Sequence, residues 1–383
     1  MSTLMIKNGR VITPEGVLQH GWVRCVNGKI EAVGEGAPPE TDATYIDADD
    51  KIVAPGFIDL HIHGSVGQDT MDATPEAFIW IARFIARHGC TSFLPTTWTD
   101  SRERIENALQ AALSIQGAPT DGAQVLGIHL EGPYLNPVRS GAQHTGYIRR
   151  AERDEALDFL NHNVIKLLAL APEYPENHWL ISECIERGIA VSLAHSDASY
   201  EETLAAVDLG LTQSTHTFNA QPPLNHRQPG AVGAILTDPR IRCEVIVDGI
   251  HVHPAMVKLI ALAKGIEGVI LITDAMRAAG MPDGEYPLYD TYATLKEGAI
   301  RLANGSLAGS VLTFDQAVRN FIQFTGFSFF EMWPATSLNA AHQIGLGDVK
   351  GSIEVGKDAD FVILTEDIEV SATVVGGRIV YQQ

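Results

Sequence analysis

The chain has 383 residues, 45% hydrophobic and 19% charged, enough to bury a full core as one large α/β domain with a smaller unit beside it. Its formal net charge of -20 repels phosphate backbones and anionic bilayers, so neither nucleic acid nor a membrane surface is an expected partner. Cys25, Cys90, Cys184 and Cys243 are scattered without any C-x-x-C spacing; this argues against a disulfide framework and a thiolate metal site and points to a reducing cytoplasm. The opening MSTLMIKNGRVITPEG lacks a long apolar stretch, and no run of about 18 apolar residues follows, so export and membrane insertion are not expected.

In chain order, the first fifty residues alternate short β-type runs with turn signals. LMIKNGRVITPEG and GWVRCVNGKIEAVGEG each hold an Asn-Gly between hydrophobic stretches, which reads as hairpin material. From Pro55 to Gly347 short apolar runs alternate with longer helical segments. The predicted strands are FIDLHIH (57–63), TSFLPT (91–96), VLGIHLE (125–131), VIKLLALAP (164–172), AVSLAH (190–195), STHTF (214–218), CEVIVDG (243–249) and VILITD (269–274). Stretches such as TPEAFIWIARFIARHG (74–89) and YEETLAAVDLG (200–210) have helical spacing. Eight strands separated by helices predict a (β/α)8 TIM-like barrel over residues 55–347; an open doubly wound sheet would need a Gly-rich phosphate turn that is missing. The closing GSIEVGKDADFVILTEDIEVSATVVGGRIVYQQ returns to period-two runs, so residues 1–54 and 348–383 are expected to pair into one small β domain.

The polar residues at the strand ends carry the chemistry. His61 and His63 lie two apart on one strand, so both imidazoles face the same side, as a shared metal requires. Glu131 closes the third strand, His195 the fifth, His216 lies in the sixth and Asp274 closes the eighth. Packed structural residues would fall at both ends of the strands, whereas catalytic groups of this architecture gather at the C-terminal face. Imidazole and carboxylate ligands without thiolate suit Zn²⁺, or Fe²⁺, Co²⁺ or Mn²⁺, and leave positions open for water. Glu131, His195 and His216 would hold one ion, and His61 with His63 a second sharing Glu131, so one or two ions are expected. Such an ion polarises a carbonyl and brings the pKa of water from 15.7 towards about 7. Asp274 is the carboxylate placed to carry the proton to a departing amine, although a last-strand aspartate can also ligate the metal or cap the following helix.

Substrate groups follow. HTFNAQPPLNHRQPGAVGAI (216–235) reads as a binding loop in which Arg227 offers a charged fork for phosphate, with His251 as a second donor and His226 and His253 as weaker ones. Gly141, Ala142 and Gln143 form a small-residue loop that backbone groups can bring near sugar hydroxyls. A basic cluster in an acidic chain suggests an anionic substrate.

Through PGFIDLHIHG, HLEGPYLNPVRSGAQ, LAPE, AHSDA, THTFNA, NHRQPGAVGA, VDGIHVHP, TDAMRAAGMPDGEY and NGSLAGS the chain resembles, over nearly its whole length, the N-acetylglucosamine-6-phosphate deacetylases of the amidohydrolase superfamily. The resemblance implies a (β/α)8 barrel with a small β-sandwich built from both termini, a divalent-metal cofactor with ligands at Glu131, His195 and His216, and acid/base catalysis by Asp274. It implies that His61 and His63 mark a member able to hold a second ion. It places sugar-phosphate contacts at Ala142, Gln143, Asn219, Ala220, Arg227, His251, Leu307 and Ala308, and implies a homodimer in which Arg227 reaches the neighbouring active site, with Asp248 and Gly249 shaping the His251 loop. Two positions depart from the family pattern. Gln221 stands where the family has methionine, predicting a more polar pocket wall, and Gln143 followed by His144 stands where many relatives have histidine first. Rival readings are an amidohydrolase acting on another substrate, such as N-acetylgalactosamine 6-phosphate or a cyclic amide, and a silent barrel that only binds a sugar phosphate.

Overall fold

The computed structural model describes residues 2–383. Strands from both termini join in one eight-stranded sheet, in the order Arg378–Gln382, Val370–Val375, Phe361–Leu364, Ile52–Pro55, Thr3–Thr13, Gly16–Val26, Lys29–Glu35, with Thr44–Asp47 also paired to Thr3–Thr13. Alternating apolar positions of these strands, among them Ile6, Val11, Val23, Phe361, Ile363 and Val374, bury a core of their own.

The two Asn-Gly signals behave differently. Asn27-Gly28 makes the expected hairpin, with Val26 facing Lys29 and both turn residues at positive φ. Asn8-Gly9 makes none: the strand runs on through Thr13, its register slips on either side of Gly9, and the chain reverses only between Thr13 and Gly16. The pair is a bulge. A Cβ on Gly9 would come within 2.5 Å of Val53 Cγ2, so glycine here lets a neighbouring strand approach.

Between the terminal segments the chain is a mixed α/β body. Strands Phe57–Ile62, Cys90–Pro95, Gln124–Val125 continued by Ile128–Glu131, Ile165–Leu170, Ala190–Leu193, Gln213–Ser214, Arg242–Ile246 and Val269–Ile272 pair in parallel, each with the next. A Thr96–His129 bridge joins the second to the third, an Ile62–Ala275 bridge ties the last back to the first, and the Asp274 amide donates to the His61 carbonyl at 2.8 Å. The helix in the first crossover, Pro75–Ala86, shows why these segments coil: Thr74 caps it with Pro75 at its first turn, and Ala77, Phe78, Ile81, Ala82 and Ile85 bury one stripe. Among the described residues no helix is long and apolar enough to cross a membrane.

One expectation needs correction, and one element was not foreseen. The sixth strand was expected over 214–218 but ends at Ser214; Thr217 then bonds the Glu244 carbonyl, and His216, Phe218 and Ala220 take positive φ. This turn leaves the ladder and brings His216, Asn219 and Ala220 to the cavity above it. A three-stranded antiparallel insert, Gly284–Leu288, Thr291–Lys296 and Ala299–Leu302, follows the last parallel strand. Its short runs, largely exposed, gave no alternating signal strong enough to read.

Candidate metal centre and its cavity

His61, His63, Glu131, His195, His216 and Asp274 converge where the parallel strands end, all buried. Glu131 is shared between two groups. Its Oε1 lies 3.1 Å from both His195 Nε2 and His216 Nε2, while its Oε2 lies 3.3 Å from His63 Nε2 and 3.6 Å from His61 Nε2. Asp274 Oδ1 completes the second group, 3.4 Å from His61 Nε2 and 3.3 Å from His63 Nε2.

The outer nitrogens decide what the inner ones are. His63 Nδ1 faces the Thr96 carbonyl at 3.1 Å and His195 Nδ1 faces the Arg139 carbonyl at 2.9 Å. Because a carbonyl only accepts, both Nδ1 atoms carry the proton. His61 Nδ1 likewise faces the Glu244 carboxylate at 3.3 Å. A neutral ring with its proton on Nδ1 turns the Nε2 lone pair inward, as His61, His63 and His195 can. Yet His61 Nε2 and His63 Nε2 are 3.3 Å apart, and His195 Nε2 and His216 Nε2 are 3.2 Å apart. Nitrogens facing at that distance need a shared cation, a proton or a metal ion, between or beside them. The donor set therefore fits a divalent ion, with backbone and carboxylate partners orienting the ligands from behind. Three groups, Glu131–His195–His216, His61–His63–Asp274 and His61–His129–Glu244, each have their ligand atoms within 4.8 Å of one another; the first two face the cavity.

Charge supports the same fit. Burial works to raise Asp274, but His61 and His63 outweigh it and hold its carboxyl at about 2. Glu131 is likewise penalised by burial and brought well below the usual carboxylate range by His61, His195 and His216. Both carboxylates stay ionised against positive charge, which protonated His61 and His63, raised above the usual imidazole range by Glu131 and Asp274 despite burial, or a bound cation in their place would supply. Backbone strain is found here too, with His195 at φ 43°, His216 at 30°, Ala220 at 50° and Asp274 at 50°; such residues cost roughly 1–3 kcal/mol each and persist where surrounding structure holds them.

A cavity of about 230 Å³ opens over the cluster. Of the residues expected at the substrate, Ala142, Gln143, Asn219, Ala220, His251 and Leu307 line it; Ala308 is buried between the lining residues Leu307 and Gly309. His251 is fixed through Nδ1 to Asp248 Oδ2 at 2.6 Å, leaving Nε2 for a ligand, and Asp248 also accepts from the Ile250 and His251 amides at 2.8 Å each. Arg227 does not line this cavity; it is exposed, with Nη1 2.7 Å from His226 Nε2.

Both sequence departures resolve. Gln221 forms no part of the cavity wall: buried, it donates to Ser214 Oγ at 3.0 Å and accepts from the Phe218 amide at 3.1 Å, so its polarity serves the turn after the short sixth strand. Gln143 reaches the cavity, whereas His144 packs its ring near Tyr147 and Tyr289. Sequence reasoning missed Trp98, stacked 3.6 Å from the His63 ring, and Glu244 beneath His61. It also missed His129, whose two nitrogens are buried without a partner among the described residues. Only their alternation within apolar strands could have flagged Glu244 and His129.

The fold and this cluster define a metal-assisted hydrolase of the amide class, and comparison agrees: the amidohydrolase family profile matches residues 52–380, so the chain belongs to the amidohydrolase family. It is 40% identical to an N-acetylglucosamine-6-phosphate deacetylase of Lysinibacillus sphaericus, over 98% of this chain and 97% of that one. It is 38% identical to an N-acetylgalactosamine-6-phosphate deacetylase of Escherichia coli O157:H7, over 98% and 99% of the two chains. Among solved structures it superimposes with a TM-score of 0.92, at 30% identity and full coverage of both chains, on a single-site mutant of the Mycobacterium smegmatis N-acetyl-D-glucosamine-6-phosphate deacetylase in complex with N-acetyl-D-glucosamine-6-phosphate.

Proposed function

We propose that the chain hydrolyses the acetamide of N-acetyl-D-glucosamine 6-phosphate, yielding D-glucosamine 6-phosphate and acetate, in amino-sugar catabolism and cell-wall recycling. The observation that carries this reading is the convergence of four histidine Nε2 atoms on a shared Glu131, beside an ionised Asp274, at the floor of a sugar-sized cavity. Glu131, His195 and His216 would hold one divalent ion and His61 with His63 a second, zinc being the first choice and iron, cobalt or manganese also suited to the ligand set. The metal supplies Lewis acidity, polarising the acetamide carbonyl and acidifying water.

The chain's own groups do the rest. Asp274, ionised at neutral pH, accepts the proton of the attacking water on its carboxylate and returns it to the amine nitrogen as the C–N bond breaks. His251, anchored through Nδ1 by Asp248, presents Nε2 to a sugar hydroxyl, and Ala142, Asn219, Ala220, Leu307 and Ala308 shape the site around the ring. Trp98 against His63 walls the reacting end from bulk water.

The parallel ring belongs in this reading to a (β/α)8 barrel over residues 55–347, and residues 1–54 with 348–383 to a separate β-sandwich unit. The separate core of the terminal strands supports that division. Among the described residues no lysine or arginine lines the cavity, so a phosphate-bearing substrate needs a cation from elsewhere. An exposed Arg227 fits a homodimer in which it serves the neighbouring site. Four buried free cysteines suit the cytoplasm.

The test is acetate release after chelation and metal add-back, from N-acetylglucosamine 6-phosphate, its galactosamine epimer and the unphosphorylated sugar. Metal-dependent release from the first alone is expected. The epimer as preferred substrate favours the second reading, to which the Escherichia coli relative lends weight, and no release from any of the three overturns both.

A further inference from the structure

Gln143 stands at the cavity wall, yet both ends of its amide are already engaged. Nε2 donates to Glu131 Oε2 at 2.7 Å, and Oε1 accepts from the Thr99 amide at 2.7 Å, with the Tyr289 hydroxyl a further 3.5 Å from the same oxygen. The side chain is 4% exposed. Its orientation is forced: a backbone N–H only donates, so the oxygen faces Thr99 and the NH₂ faces the carboxylate.

We propose that Gln143 is a positioning residue for Glu131 that sets the protein's affinity for its metal, rather than a group that reads the sugar. The inference rests on the reading of Glu131 as a metal ligand. A glutamate carboxylate turns freely about its last bond unless something holds an oxygen. Here Oε1 must face His195 and His216 while Oε2 faces His61 and His63, and only one setting of the carboxylate plane does both. Gln143 pins Oε2 in that setting. It is itself pinned to the loop after the second parallel strand, so two strand-end loops jointly hold the shared ligand. A donor to a ligating carboxylate of this kind is worth about 10- to 100-fold in metal affinity.

The experiment measures zinc dissociation constants, without substrate, by competition with a chromogenic chelator for wild type, Gln143→Met, which keeps the length and loses the donor, and Gln143→Ala, which admits water. Thermal unfolding of the metal-free proteins checks the fold, and KM is measured at saturating zinc. The expected result is zinc affinity weakened about 10- to 100-fold in both variants, with KM near wild type and metal-free unfolding unchanged. Unchanged zinc affinity with a raised KM overturns the proposal in favour of sugar recognition. Loss of fold in both variants overturns it in favour of a structural role. Failure of the wild type to bind zinc overturns the metal reading itself, and so is distinguishable from failure of the proposal.

Discussion

Lys350 reaches Asp360 at 2.6 Å and Asp358 at 2.8 Å, Asp358 also takes Lys29 at 2.7 Å, and Asp360 accepts from the Gly376 amide at 2.8 Å. Around Glu131 charge is buried more deeply, but every histidine–carboxylate distance at the Nε2 atoms is 3.1–3.6 Å and like nitrogens face each other at 3.2 and 3.3 Å. The first cluster is complete within the chain and ties the C-terminal segment to the terminal sheet. The second is preorganised for a cation the chain does not itself provide. Buried charge thus marks a structural joint where its partners close on one another, and a reactive site where they are held apart.

The contrast can be broken at either end. Lys350→Met should leave Asp360 without its cation in a buried setting and lower unfolding stability by about 3–5 kcal/mol, read as a shift of the denaturant midpoint, while acetate release by the folded fraction stays unchanged. Adding metal to stripped protein should raise stability by about 2.7 kcal/mol at a hundredfold excess over Kd, and the same increment should survive in Lys350→Met. An increment that vanishes there would mean the two clusters are coupled.

A smaller effect tests a third buried charge. Asp315 is penalised by burial, but His88 at 3.0 Å, together with Thr313 and Arg319, brings its carboxyl down to about 2. A carboxyl lower in the folded than in the unfolded chain stabilises above the unfolded value, near 3.9, and loses that contribution as pH falls towards 2. The difference in unfolding free energy between wild type and Asp315→Asn should therefore shrink by roughly 2 kcal/mol across that window; a difference that stays constant with pH would refute it.

Much of the site could be read from the sequence because its residues obey strand geometry. His61 and His63 share a face by alternation, and Glu131, His195 and Asp274 sit where apolar runs end. What could not be read depends on packing between distant segments. Glu244 lies inside the run CEVIVDG and looks like core, but its carboxylate meets His61 from a strand 183 residues away. Gln221 looked like a pocket wall because it replaces methionine, yet the short sixth strand turns it towards Ser214. Asn8-Gly9 carried a hairpin signal, and only the neighbouring Ile52–Pro55 strand decides that it is a bulge.

At the centre of the proposed mechanism, Asp274 carries the proton beside a metal held by Glu131 and the histidines. That role is tested most directly by Asp274→Asn, assayed for metal content, sugar-phosphate binding and turnover in the same preparation. The predicted result is metal retained at Glu131, His195 and His216 and binding retained, with turnover reduced about a hundredfold to ten-thousandfold, whereas turnover within about tenfold of wild type would contradict it.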